Sequence, residues 1–378
     1  MPDQEYPIVD MHFHVGLVGD TWPHLGRMSH EYRSLPVYKI FLLYAHVEED
    51  QVCDAVLKEK TLEVINSSGV DKVVCLALDP VCTEAGQRAE SRSHLWVDNE
   101  YVIELRNELE DRILLGASVH PYDLQFKERV KQYVDKGAVL LKWLSSAQQI
   151  DLAHPKVGDA LEFLATVKPG GKPLPLLLHC GPEYAIPSTD SRTTSFDYLH
   201  WSTWDSVVNF FRFSKKWHKP DIPRIVQNLE RGLTAGAVIS FAHCGLPYFF
   251  GGVLGGLFEH SEFDQVAELL RRTAAGEFQG KCLADISALA TPLRKNYFSK
   301  VRTLPQELLL YGSDFPTPVF ELSADAGEMI EDLRAVLDGH LDRIAIPQDN
   351  LLDVNLRELR NAFPGSPVFT NFARHGFV

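Results

Sequence analysis

Positive charge is scarce in this sequence. Against 51 aspartates and glutamates stand 37 lysines and arginines, a formal net charge of −14. That balance argues against sequence-independent nucleic-acid binding and against adhesion to anionic membranes. It leaves an anionic substrate open, because the field inside a cleft differs from the net charge. No apolar run is long enough to span a bilayer. The opening Met1-Pro2-Asp3-Gln4-Glu5 has neither the basic start nor the apolar core of a secretory leader. A cytoplasmic location is therefore expected. Linkers, repeats and low-complexity tracts are missing, so residues 1–378 read as one domain. The six cysteines lie mostly in or beside apolar runs, outside any small secreted scaffold, and read as free thiols.

The chain has eight apolar, strand-like runs, at 7–14, 71–78, 112–118, 137–143, 174–179, 237–243, 281–286 and 308–314. They are continuous, as in Val73-Val74-Cys75-Leu76-Ala77-Leu78, which is how strands buried on both faces look. Helical patterns separate them, at 51–67, 97–110, 123–135, 157–167, 222–234, 261–276, 290–302 and around 329–337. Ser261 is expected to cap the sixth of these. Alternating strands and helices favour a closed parallel (β/α)₈ TIM barrel with long βα-loop insertions. A doubly wound open sheet is the alternative, but no GxGxxG or Walker sequence opens a helix here. The long connections 15–50, 180–221 and 244–260 are rich in aromatics. All three follow the C-terminal ends of strands, where lids over a barrel mouth are built.

The run ends carry the chemistry. Asp10, His12 and His14 alternate in Asp10-Met11-His12-Phe13-His14, so an extended strand points all three the same way. Lys142 stands at the end of the fourth run, His179 of the fifth, His243 of the sixth, Asp285 of the seventh and Asp314 of the eighth. Imidazoles, a carboxylate and an amine at successive strand ends suit a metal site at a barrel mouth. His120, just after the third run, is placed to line that mouth. Arg192, in the connection after the fifth, could clamp a substrate carboxylate. Asp285 could orient a metal-ligating histidine or cap the following turn.

Asp-x-His-x-His in the first run, His in the fifth and sixth, and Gly312-Ser313-Asp314-Phe315-Pro316 in the eighth resemble the amidohydrolase superfamily. The similarity is greatest to the amidohydrolase-2 group of aminocarboxymuconate-semialdehyde decarboxylase and related hydrolases. Leu351 to Leu356, with Asn355, is similar to that family's final helix. The resemblance spans nearly the whole chain and implies a (β/α)₈ barrel. It implies that His12, His14, His179 and Asp314 hold one divalent metal, with Zn²⁺ expected. His243 would then be an acid/base or orient the attacking water. Asp314 would take that water's proton, once the metal has lowered its pKa towards ~7.

Lys142 opens a second arrangement. In dinuclear relatives a lysine at this place is carbamylated and bridges two metals. His12, His14 and Asp314 would then hold one ion, and His179 and His243 the other. Unmodified, Lys142 would pair with Asp10, Asp314 or a substrate carboxylate. The leading function is hydrolysis of an amide, lactone or related bond in a small organic molecule. The alternative is metal-dependent, non-oxidative decarboxylation of an aromatic or unsaturated acid, which needs a cation for the carboxylate; the proposed run ends carry no arginine. A binding protein on a decayed barrel is a third class, disfavoured because every expected ligand is present. A small-molecule substrate and homo-oligomeric assembly are expected.

Overall fold

The computed structural model describes residues 6–180, 186, 221–246, 263–291, 294–317 and 347–378. Ten strands are assigned among them. They are β1 (Val9–His14), β2 (Gly26–Met28), β3 (Lys72–Leu76), β4 (Leu95–Val97), β5 (Ile113–Ala117), β6 (Ala138–Leu144), β7 (Pro175–His179), β8 (Val238–Phe241), β9 (Lys281–Asp285) and β10 (Leu309–Leu310). Eight of these form one sheet in the order β1-β3-β5-β6-β7-β8-β9-β10. Every pair in it is parallel. The sheet closes on itself beyond β10. Met11 N–H donates to Tyr311 O at 3.1 Å, Asp314 N–H to His12 O at 2.7 Å and His14 N–H to Phe315 O at 3.0 Å. This is the (β/α)₈ TIM barrel expected from the run pattern.

Why these runs become strands follows from burial on both faces. Val73, Val74, Cys75, Leu115, Leu176, Leu177, Leu178 and Leu283 are all essentially inaccessible, in one continuous core. Helices between the strands cover the outside. Those at Asp54–Asn66, Asn99–Glu108, Phe126–Asp135, Pro155–Leu164, Ile222–Ala235 and Phe263–Ala274 fall where the apolar stripes place them. Asp98 caps one by accepting from Glu100 N–H, and His154 caps another by accepting from Lys156 N–H. Asn355 lies on the late helix Leu351–Ala362.

Three expectations need correction. Residues 290–302 do not form one helix: the described part is a tight turn at Lys295–Tyr297 followed by a single helical turn at Phe298–Val301. Pro292 removes a donor there, and Asn296 and Tyr297 are weak helix formers. The sixth run stops as a strand at Phe241, and His243 stands in a turn, Ala242–Gly245. The connection 15–50 is more than a loop. Its β2 pairs antiparallel with β4, Gly26 opposite Val97, and short helices follow at His30–Arg33 and Pro36–Tyr44. A second apolar cluster of Tyr32, Tyr38, Leu42 and Val47 holds this insertion over the barrel mouth. Ser261, Arg192, the helix around 329–337 and most of the connections 180–221 and 244–260 lie outside the described residues. All six cysteines are free thiols.

Gly312 sets how closely the barrel can shut. A Cβ there would lie 2.7 Å from the His12 Cβ, 3.2 Å from the Ser287 Cβ and 3.3 Å from the His12 N. Only a residue without a side chain lets the chain before Asp314 lie this near β1. Gly312→Ala is expected to cost ~1–3 kcal/mol in stability and to displace His12. Denaturant unfolding and metal titration of the variant would check both. A variant with wild-type stability would show that the closure is slacker than this.

Candidate metal centre

The site is built at the C-terminal ends of the strands. Asp10, His12 and His14 share one face of β1, and each step of two residues moves further towards the mouth. Asp10 braces the base: its Oδ1 accepts from His12 N–H at 3.1 Å and Ser313 N–H at 2.9 Å, tying β1 to the segment that carries Asp314. Burial pushes its carboxyl up to about 6.

Above it the side chains converge. His12 Nε2 lies 3.1 Å from His14 Nε2 and 3.3 Å from Asp314 Oδ1, and His14 Nε2 lies 3.1 Å from the same oxygen. His243 Nε2 approaches Asp314 Oδ2 at 3.7 Å. The His243 ring stacks on His12, centroids 5.2 Å apart, and meets His179 edge-on, also at 5.2 Å. Lys142, almost fully buried, brings its Nζ to 3.0 Å from His12 Nε2. The structure thus draws together His12, His14, Lys142, His179, His243 and Asp314 from the ends of β1, β6 and β7, the turn after β8 and the segment after β10.

Asp285 and Ser287 fix the tautomers of His12 and His243. Asp285 Oδ2 accepts from His12 Nδ1 at 2.9 Å, and its Oδ1 accepts from the His243 and Ser287 backbone N–H groups at 2.9 and 3.0 Å. The Ser287 hydroxyl also donates to Oδ1. An ionised carboxylate only accepts, so His12 carries its proton on Nδ1 and turns the Nε2 lone pair to the cluster. His243 Nδ1 faces Ser287 O at 3.1 Å and Ser287 Oγ at 2.8 Å. A carbonyl only accepts, so His243 too is protonated at Nδ1 and presents an Nε2 lone pair.

Electrostatics agree. Burial is the main reason that His14 is pushed down to about 4, His243 down to about 3 and His179 well below its ordinary range, so all three are neutral at pH 7. Burial works to raise Asp285 and Asp314. For Asp285, His12 and His243 more than offset it; for Asp314, His243, His12 and His14 do, and both carboxyls lie well below the carboxylate range. Strain gathers here as well. His243, Cys244 and Asp314 have φ of 54°, 54° and 58°. Non-glycine residues in that region cost ~1–3 kcal/mol each, and such positions concentrate at functional sites.

Two groups among the described residues could hold a metal: His12 with His14 and Asp314, and His12 with His243 and Asp285. The hydrogen bonds decide between them. Asp285 uses both oxygens to orient its neighbours, the partner role that ligating histidines require. In the first group, two imidazole nitrogens and a carboxylate oxygen lie within 3.3 Å of one another, a donor set that fits a divalent ion. Lys142 bears on the same point, because an unmodified ammonium competes with a metal for the His12 Nε2 lone pair.

His120 does not reach the mouth. It is fully buried, its Nε2 donates to Gln148 O at 2.9 Å and its Nδ1 accepts from Tyr122 N–H at 3.1 Å. Both nitrogens serve the backbone, which leaves neither for a substrate. Burial pushes this ring down to about 4 from its ordinary 6.5. The unfolded chain therefore binds a proton at a higher pH than the folded one. The contribution of His120 to stability is full above about 6.5 and is lost as pH falls through about 4, an effect of ~3 kcal/mol. The stability gap between wild type and His120→Asn should shrink by that order between pH 7 and 4.5 in denaturant titrations. A gap independent of pH would refute the buried neutral ring.

The sequence reading missed one charged residue. Arg294, nine positions past the end of β9, lines the cavity that opens on His14, His179, His243 and Asp314. Neither periodicity nor a run end marks it. The other walls come from the insertion after β1, including Tyr32, Tyr38, Phe41 and Leu42. His24 and His46 of that insertion are exposed to solvent.

No family model matches this chain, and no curated protein matches it. Solved structures do. A 2,6-dihydroxybenzoate decarboxylase from Rhizobium is 12% identical with a TM-score of 0.43, covering 95% of this chain and 99% of its own. A putative 2-pyrone-4,6-dicarboxylic acid hydrolase from Pseudomonas putida is 14% identical with a TM-score of 0.44, covering 95% and 98%. A 5-carboxyvanillate decarboxylase from Novosphingobium aromaticivorans, complexed with manganese and 4-hydroxy-3-methoxy-5-nitrobenzoic acid, is 14% identical with a TM-score of 0.45, covering 96% and 97%.

Proposed function

We propose that this chain is a metal-dependent hydrolase of the amidohydrolase kind, acting on an amide, lactone or related bond of a small organic molecule. The observation that carries it is the convergence of His12 Nε2, His14 Nε2 and Asp314 Oδ1 within 3.3 Å, with His12 oriented by Asp285. His12, His14 and Asp314 would hold the ion, with His179 a further ligand. When bound, a divalent ion supplies Lewis-acid polarisation and charge neutralisation. Two imidazoles and a carboxylate suit zinc, and zinc is part of the proposal. So are a cytoplasmic setting and a homo-oligomer; no described helix is long and apolar enough to cross a membrane.

The residues divide the proton work. Asp314 Oδ2 faces His243 Nε2 and accepts from the Thr317 hydroxyl at 2.7 Å. A carboxylate so placed can take a proton from an attacking water and return it to a leaving group. His243, neutral with its Nε2 lone pair towards Asp314, is a proton acceptor at rest; to act as an acid it must first receive a proton at Nε2. Lys142 either donates to a substrate oxygen or, carbamylated, joins the ligands of a second ion with His179 and His243.

Decarboxylation of an aromatic or unsaturated acid is the second reading, favoured by Arg294 in the cavity wall. Chelation separates both readings from metal-independent chemistry. Dialysis against a chelator is expected to abolish turnover in a screen of amides, lactones and aryl acids, and Zn²⁺ or Mn²⁺ to restore it. Full turnover by the chelated protein would refute the proposal. Release of CO₂ by the restored protein would select the second reading.

A further inference from the structure

Two neighbouring elements line the cavity beyond the metal cluster. The insertion after β1 gives Tyr32, Tyr38, Phe41 and Leu42, and the helix Asp54–Asn66 gives Leu57 and Thr61. The two are packed together, with Leu57 against the cluster of Tyr32, Tyr38 and Leu42. The stem of the insertion is held to that helix by Asp54, its first residue, which is fully buried. Asp54 Oδ1 accepts from Gly19 N–H at 2.9 Å, and its Oδ2 accepts from Thr21 N–H at 3.0 Å and Trp22 N–H at 2.9 Å. In return, Asp20 Oδ1 accepts from Asp54 N–H at 3.0 Å. That satisfies a helix-end donor for which Cys53, at the N-cap, offers no side-chain acceptor. All of residues 19–22 are thus tied to the first turn of the helix. The stem also turns tightly beside β2. Gly19 has φ 82°, and a Cβ there would lie 2.9 Å from Gly26 O.

Asp54, Leu57 and Thr61 stand at i, i+3 and i+7, on one face of the helix. The face that anchors the stem is therefore the face that meets the cavity, although Asp54 itself does not line it. A shift at Asp54 would move the insertion's part of the wall against the helix's part. We propose that Asp54 is a positioning residue for this site. It fixes the insertion over the barrel mouth and so sets the preference for substrates with an apolar body, without touching metal or ligand. The inference rests on the reading of this cavity as a metal-dependent active site, and it holds for either reaction proposed there.

Calorimetric titration of the zinc-loaded full chain with acetohydroxamate and benzohydroxamate tests it. The two probes share a metal-chelating head and differ in a methyl against a phenyl. The wild type is expected to bind benzohydroxamate about tenfold or more tightly than acetohydroxamate, the order for a ring buried on an apolar wall. Asp54→Asn turns an amide donor towards backbone N–H groups. It is expected to cut that preference at least about threefold by loosening a preorganised wall. Zinc content and acetohydroxamate affinity should stay at the wild-type level. Gly19→Ala disturbs the same stem from the other side and should have the same effect; it decides alone if Asp54→Asn does not fold. A preference unchanged in both variants would overturn the proposal, as would an equal loss of both ligands or a wild type that does not distinguish them. Failure of the active-site reading looks different. A wild type that takes up no zinc and binds neither hydroxamate would fail both claims. Zinc-dependent binding whose preference survives both variants would uphold the metal and reject Asp54.

Discussion

Asp314→Asn is expected to lower turnover ~10²–10⁴-fold at saturating metal, the range for loss of a positioned acid/base. The carboxyl lies well below the carboxylate range despite its burial, with the Thr317 hydroxyl donating to its Oδ2 at 2.7 Å. Asparagine keeps the shape and one oxygen but cannot accept a proton at pH 7. The barrel should survive, since closure runs through the backbone, with Asp314 N–H donating to His12 O at 2.7 Å. Steady-state kinetics on a substrate found with the wild type, with circular dichroism for folding, would check this. Turnover retained at full metal content would remove Asp314 from the proton path.

The second large effect concerns the ion itself. His12→Ala removes the ring that touches His14, Asp314, Lys142, Asp285 and Ser287 at once. Loss of a partner behind a ligand typically costs ~10–100-fold in metal affinity, and loss of the ligand itself is expected to exceed that. It also leaves Asp285 charged and buried without its imidazole, so a fall in stability should accompany the loss. Metal titration of the variant beside His120→Asn, whose ring lies outside the cluster, separates the two effects. Wild-type metal content in His12→Ala would show that β1 does not supply the ligands.

Much of this was legible in the sequence for a physical reason. Strands buried on both faces must be continuous apolar runs, so a His, Lys or Asp closing such a run stands out; His14, Lys142, His179, Asp285 and Asp314 were visible that way. His243 was found although its strand stops at Phe241, because the turn that carries it continues the apolar stretch. The rest depends on distances that no linear pattern encodes. Asp285 emerges as the group that sets the His12 tautomer and holds the His243 backbone only when β1, β9 and the His243 turn lie side by side. Arg294 follows a proline-bearing stretch with no period, and only the fold brings it to the cavity. His120 looked like a mouth residue because it follows a strand, but Gln148 and Tyr122 engage both of its nitrogens. The β2–β4 pair spans three residues on each side, too few for an alternation to register.

The most direct measurement is metal content per chain by elemental analysis, paired with intact mass under non-denaturing conditions. The account predicts at least one divalent ion per folded chain. One ion without added mass would mean a mononuclear site with Lys142 unmodified and His243 free for proton transfer. Two ions with the added mass of one CO₂ would mean a carbamylated Lys142 and a dinuclear site. A folded chain that holds no divalent ion, even after incubation with Zn²⁺ or Mn²⁺, would contradict the account at its centre.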